Sequence, residues 1–115
     1  MKDYNGKIQY RDKELTLVFD LNVIEAIQEE YGSLDAWGEL TYNASDEPNI
    51  KAFIFGLTEM LNEGIEIHND ETGLFEPLFT HKQVGRIITE VGLENATQAL
   101  HRTVIDSTDN DEKNA

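Results

Sequence analysis

Apolar and polar positions alternate through residues 4–19. Ile8 and Tyr10, then Leu15, Leu17 and Phe19, recur at every second place, the period of half-buried strands. Arg11-Asp12-Lys13 makes a polar turn between the two runs, and Asn5-Gly6 is a second turn signal just ahead of the first run. At Asp20 the period changes. Leu21, Ile24, Ile27 and Tyr31 follow at spacings of three and four, which predicts a helix over 20–31. Asp20 stands where an N-cap carboxylate accepts free backbone N–H groups, and Gly32 where a left-handed residue stops the helix.

Ser33 caps a short second helix over 34–40, with Leu34, Trp37 and Leu40 on one face. A polar loop over 41–47 leads to Pro48, which suits the first position of a helix because its missing N–H costs nothing there. The helix predicted over 48–62 has an unbroken stripe of Ile50, Phe53, Ile54, Leu57, Met60 and Leu61, and Gly64 closes it. Ile65 and Ile67 then alternate, and residues 68–73 read as a turn, so residues 65–79 form a loop or a small hairpin. Thr80 and Gln83 match a capping box. The helix it opens, over 81–92, carries Val84, Ile87, Ile88 and Val91. A last helix covers 94–106, with Ala96, Leu100 and Val104 inward, and the polar residues 107–115 read as a disordered acidic tail.

These elements predict an α+β fold, an N-terminal β-hairpin packed on a small bundle of four to five α-helices, in one domain over residues 1–106. Two strands alone are marginal. Either helices cover one face of the hairpin, or residues 65–76 add strands.

Size and composition sharpen this. At 115 residues the chain has room for one core. A domain of this size is stable by on the order of 5–10 kcal/mol, so association with itself or with a partner is a further expectation. The absence of cysteine excludes disulfides, thiolate metal sites and thiol catalysis. No apolar run is long enough to span a membrane, and residues 1–10 lack the apolar core of a signal peptide, so a cytoplasmic protein is expected. A net charge of −14 repels a nucleic-acid backbone. It is compatible with plain solubility, with an acidic mimic of DNA, or with a chaperone-like partner of another protein.

Candidate chemistry is sparse. His68, Asp70 and Glu71 suggest a cation cluster, but the calcium-loop test fails. With Gly73 at loop position six, position twelve is Phe79, where a bidentate acid is required. No metal site or cofactor is expected. His81 and His101 lie in no ligand or catalytic frame, and no nucleophile elbow, phosphate loop or dinucleotide fingerprint occurs. Catalysis is therefore not the expected role. Trp37, Phe55 and Phe75 are the candidates for an exposed apolar contact surface that binds a partner, with burial in the core as the alternative for each.

The stretch LTLVFDLNVIEAIQEEYGSLDAW, with Phe19, Asp20, Asn22, Ile24, Ile27, Glu30, Tyr31 and Gly32, resembles the N-terminal half of phage tail assembly chaperones from siphophages and prophages of Gram-positive bacteria. LNEGIEIHNDETG and FTHKQVGRIITEVG, within residues 61–92, are similar to that family's later apolar helix, polar loop and Thr-opened helix. The likeness spans most of residues 4–105 and carries no catalytic signature. It implies a non-enzymatic protein of the bacterial host cytoplasm. Such a protein binds the long helical tape measure protein, keeps it soluble, and helps tail tube subunits polymerise around it. A frameshifted longer product is common in that family. The competing expectations are an acidic DNA mimic that inhibits a host DNA-binding protein, and a structural tail or connector component.

Overall fold

The computed structural model describes residues 5–113, with side chains placed over 6–107. Tyr4 of the expected hairpin and residues 114–115 of the expected tail lie outside the described residues. Among the described residues, β1 (Asn5–Tyr10) and β2 (Lys13–Val18) pair antiparallel, with Ile8 opposite Leu15 and Gly6 opposite Leu17. Five helices follow: α1 (Leu21–Tyr31), α2 (Leu34–Leu40), α3 (Ile50–Thr72), α4 (His81–Val91) and α5 (Leu93–Lys113). The fold is α+β, and helices rather than further strands cover the hairpin.

The hairpin turns tightly through Arg11, which takes a left-handed φ of 58°. The Arg11 guanidinium then donates to both carboxylate oxygens of Glu90 at 3.0 Å, tying the turn to α4. Asn5 and Gly6, expected as a turn, are instead paired in β1. Gly6 lies where α5 presses on the strand, and a Cβ there would overlap the Thr103 hydroxyl.

Side chains cap the helices as the sequence predicts. The Asp20 carboxylate accepts from Val23 N at 3.2 Å, Ser33 Oγ from Ala36 N at 3.0 Å, and Thr80 and Gln83 form a reciprocal box. The buried face of α1 centres on Val23 and Ile27, with Ile24 and Tyr31 half-buried. Leu21, expected on that face, is instead exposed, because it is the first helical residue and the face begins at Val23.

α3 corrects the expected helix over 48–62 at both ends. Asn49, not Pro48, starts it, its side chain accepting from Ala52 N at 2.9 Å. Gly64 does not end it. A Cβ on Gly64 would come within 3.2 Å of Thr16 O, so glycine there lets β2 cross the helix closely. The helix runs on through residues expected to be a loop, and stops at Gly73 with φ 78°, a left-handed cap. Similarly, α5 continues to Lys113 where a disordered tail was expected from residue 107. Ser107 extends the buried Leu100–Thr103–Val104 face by a further turn, its hydroxyl donating to Thr103 O at 2.8 Å.

α3 is the spine of the core. Phe53, Leu57 and Met60 are fully buried in one cluster with Leu17 of β2, Phe19 just after that strand, Ile27 of α1 and Val84 of α4, and Leu100 of α5 joins the same cluster from against the hairpin. Each such side chain contributes about 1.5–3 kcal/mol by leaving water. Among the described residues, no buried side-chain nitrogen or oxygen lacks a hydrogen-bond partner.

Candidate partner-binding site

Of the three aromatic residues expected to meet a partner, the structure buries one, half-buries one and exposes one. Trp37 is fully buried, which corrects the expectation of an exposed contact. Its indole N–H donates to Ala52 O at 2.9 Å and its ring lies on Gly56, where a Cβ would fall inside the indole. Trp37 thus holds α2 against α3. Phe55 is half-buried and meets Tyr31 edge-on, with ring centroids 5.5 Å apart. Phe75 is 97% exposed.

Phe75 sits in the segment between α3 and α4, and that segment is fixed. Asn69 and Asn62, two turns apart on one face of α3, act as rungs beneath it. Asn69 Oδ1 accepts from Glu76 N and its Nδ2 donates to Glu76 O, both at 3.0 Å. Asn62 Oδ1 accepts from Phe79 N at 2.8 Å and its Nδ2 donates to Phe79 O at 3.0 Å. Thr72 Oγ1 accepts from Leu74 N at 3.2 Å, and His68 Nε2 lies 2.9 Å from Glu76 Oε2. The backbone is therefore held in place while Leu74, Phe75 and Leu78 face water. His68 pairs with Glu76 across this loop rather than with Asp70 and Glu71. Among the described residues no three His, Asp or Glu side chains gather where a metal ion would fit.

A second apolar surface lies at the other end of α3. Ile50, Phe53 and Ile54 face Gly85, Ile88 and Leu93 across a groove of about 640 Å³. Ile50 and Leu93 are exposed at its lip. The rim is basic: His81, Lys82 and Arg86 line it, and neither Lys82 nor Arg86 forms a salt bridge among the described residues. In a chain of net charge −14 this is a local inversion of sign.

Between the groove and the loop that carries Phe75, here called the hook, α3 carries Glu59, Glu63, Glu66 and Asp70 at spacings of four, three and four, an acidic row on one face. A hydrogen bond shared with the Asp20 carboxyl, then burial, pushes the Glu63 carboxyl up to about 7. Asn22 Nδ2 donates to its Oε2 at 2.9 Å. Glu59 is also raised, by burial and then by Glu66. Two of the four acids thus hold their protons more tightly than free carboxyls do.

Sequence reasoning found Phe75 but missed the groove. Its apolar half was read as core, and its basic half was not set apart, although Lys82 and Arg86 stand four apart on one helix. The fold and these surfaces define a small α+β protein with two exposed apolar patches of opposite electrostatic setting. Among the described residues no helix is long and apolar enough to cross a membrane. No protein-family model, curated protein or solved structure matches the chain.

Proposed function

We propose that the chain is a phage tail assembly chaperone of the kind it resembles. In this reading it is a cytoplasmic, non-enzymatic protein that binds apolar helical segments of the tape measure protein and aids tail tube polymerisation. The observation that carries the reading is the groove between α3 and α4. Its accessible apolar wall is Ile50, Ile54 and Leu93, with buried Phe53 and Ile88 beneath, and an amphipathic helix buries its apolar face in such a groove. The net charge supports it, because a partner coated with acidic subunits repels other coated copies. The acidic-mimic reading gains little by comparison. The carboxylate row on α3 spans roughly 17 Å at 1.5 Å rise per residue, and one of its members, Glu63, is partly neutralised near pH 7.

Co-expression with the tape measure protein of the same phage or prophage is the test. The chain is expected to raise the soluble fraction of that protein and to co-purify with it. Ile54→Glu, which puts a charge on the groove wall, is expected to abolish both effects while leaving the far-ultraviolet circular dichroism unchanged. Unchanged solubility and no co-purification with the natural chain would sink the proposal. Recovery of the chain in purified particles would make it a structural tail component instead.

A further inference from the structure

The two exposed apolar patches complement each other. The hook presents Leu74 and Phe75 between the acidic Glu71 and Glu76, with Leu78 exposed just beyond. The groove presents Ile50, Ile54 and Leu93 within the basic rim of His81, Lys82 and Arg86. Apolar meets apolar and acid meets base, the arrangement that fixes register between partners. The hook cannot enter the groove of its own chain. From Ile54 in the groove to Asn69, which pins the hook, α3 rises roughly 22 Å at 1.5 Å per residue, and the rungs on Asn62 and Asn69 hold the loop along the helix between them. The only copy of this hook that can reach a groove belongs to another molecule.

We infer that this chain self-associates head to tail, the Leu74–Phe75 hook of one copy seated in the α3–α4 groove of the next. The inference rests on the hook and groove and not on the identity of any client; a client helix in the same groove would displace the hook, so the two occupants exclude each other there. Because the hook is held in place before contact, little conformational freedom is lost on docking. Phe75 is the anchor, a nearly fully exposed aromatic side chain entering an apolar cleft. Glu76 and Glu71 meet Lys82 and Arg86 at the edge. Elsewhere the copies repel, but at physiological salt that repulsion is screened beyond about 8 Å, so contact is confined to the complementary patch. A single loop covers far less than the roughly 1,200 Å² of a standard stable interface, so the association is weak and reversible. Each copy keeps one hook and one groove, and such a contact propagates into a chain or closes into a ring.

The experiment uses the purified full chain alone, in sedimentation velocity across the micromolar to millimolar range. The natural protein is expected to shift to larger species as concentration rises. Phe75→Glu disables the hook, and Lys82→Glu with Arg86→Glu disables the groove. Each variant is expected to weaken self-association by about thirtyfold or more, the loss typical of a central anchor. All substituted side chains are exposed, and unchanged thermal melts would show that the fold is intact. The decisive arm mixes the two variants. One supplies a working groove and the other a working hook, so the mixture forms one-to-one dimers that neither variant forms alone. A natural chain that stays monomeric throughout overturns the inference and leaves the groove to a different partner. So does a mixture that stays monomeric, or assembly that survives in both variants.

Discussion

Replacing Glu63 by Gln probes the carboxyl pair that joins α1 to α3. In the folded chain the Glu63 carboxyl keeps its proton up to about pH 7, while in the unfolded chain it releases it near the ordinary 4.5. Between those values the folded state binds the extra proton. The stabilisation from the protonated pair is therefore complete below about pH 4.5, declines as pH rises, and is lost above about 7. At about 1.4 kcal/mol per pH unit the full interval would be worth roughly 3.4 kcal/mol. Glu63 is only half-buried, so solvent screening reduces this to about 1–2 kcal/mol. The amide of Glu63→Gln keeps an acceptor for Asn22 Nδ2 and donates to Asp20 as the protonated acid does, with no proton to lose. The two proteins are expected to be equally stable at pH 5. At pH 8 the variant is expected to be more stable by about 1–2 kcal/mol, or to melt roughly 4–8 °C higher for a domain of this size. Urea titrations followed by the fluorescence of Trp37, the chain's one tryptophan, give both values. The readout is the difference between variant and natural protein, so the other carboxylates cancel. A difference that stays constant from pH 5 to 8, or is larger at pH 5, would show that Glu63 does not hold its proton against Asp20.

Other perturbations test the packing and the hook. Phe53→Ala is expected to cost about 3–5 kcal/mol in the same urea titration, the range for a fully buried aromatic; a loss below about 1 kcal/mol would mean that α3 faces the core differently. Gly56→Ala drives a methyl group into the Trp37 indole and is expected to cost about 1–3 kcal/mol, with a red shift of Trp37 emission as α2 lifts away; unchanged emission would contradict the contact. Asn69→Ala removes the rung beneath Glu76 and is expected to speed hydrogen exchange of the Glu76 amide at least tenfold with little change in the melting midpoint, since the rung is local; unchanged exchange would show that the loop is held by other means.

The hairpin, the caps and four of the helix faces were legible because their determinants are local. Alternation through Ile8, Leu15 and Leu17, the Asp20 cap and the Thr80–Gln83 box each work within a few residues. What escaped depends on residues far apart in the chain. Gly64 looks like a helix stop until β2 is known to cross it, and only then does its missing side chain explain why α3 continues. Trp37 reads equally as a contact residue or as core until Gly56 is seen to make room for it. Ile65 and Ile67 alternate because the last turns of α3 lie at the edge of the molecule and bury little, so the helical stripe fades there. Phe75 could be singled out as a candidate for exposure because it lies on no helical stripe, whereas the groove exists only once α3 and α4 lie side by side.

Because α3 packs against β2, α1, α2 and α4, the order of synthesis matters. Residues 1–49 reach the ribosome exit first, and they include the hairpin, α1 and α2. Until α3 emerges, Leu17, Phe19, Ile27 and Trp37 have only one another, Ile8 and Val23 to bury against. The nascent chain must therefore wait, unfolded and exposed to proteases and holding factors, until Phe53, Leu57 and Met60 have emerged. Folding is set by the middle of the message rather than its beginning, and a ribosome stalled anywhere in the first half would hold a chain with no fold to defend.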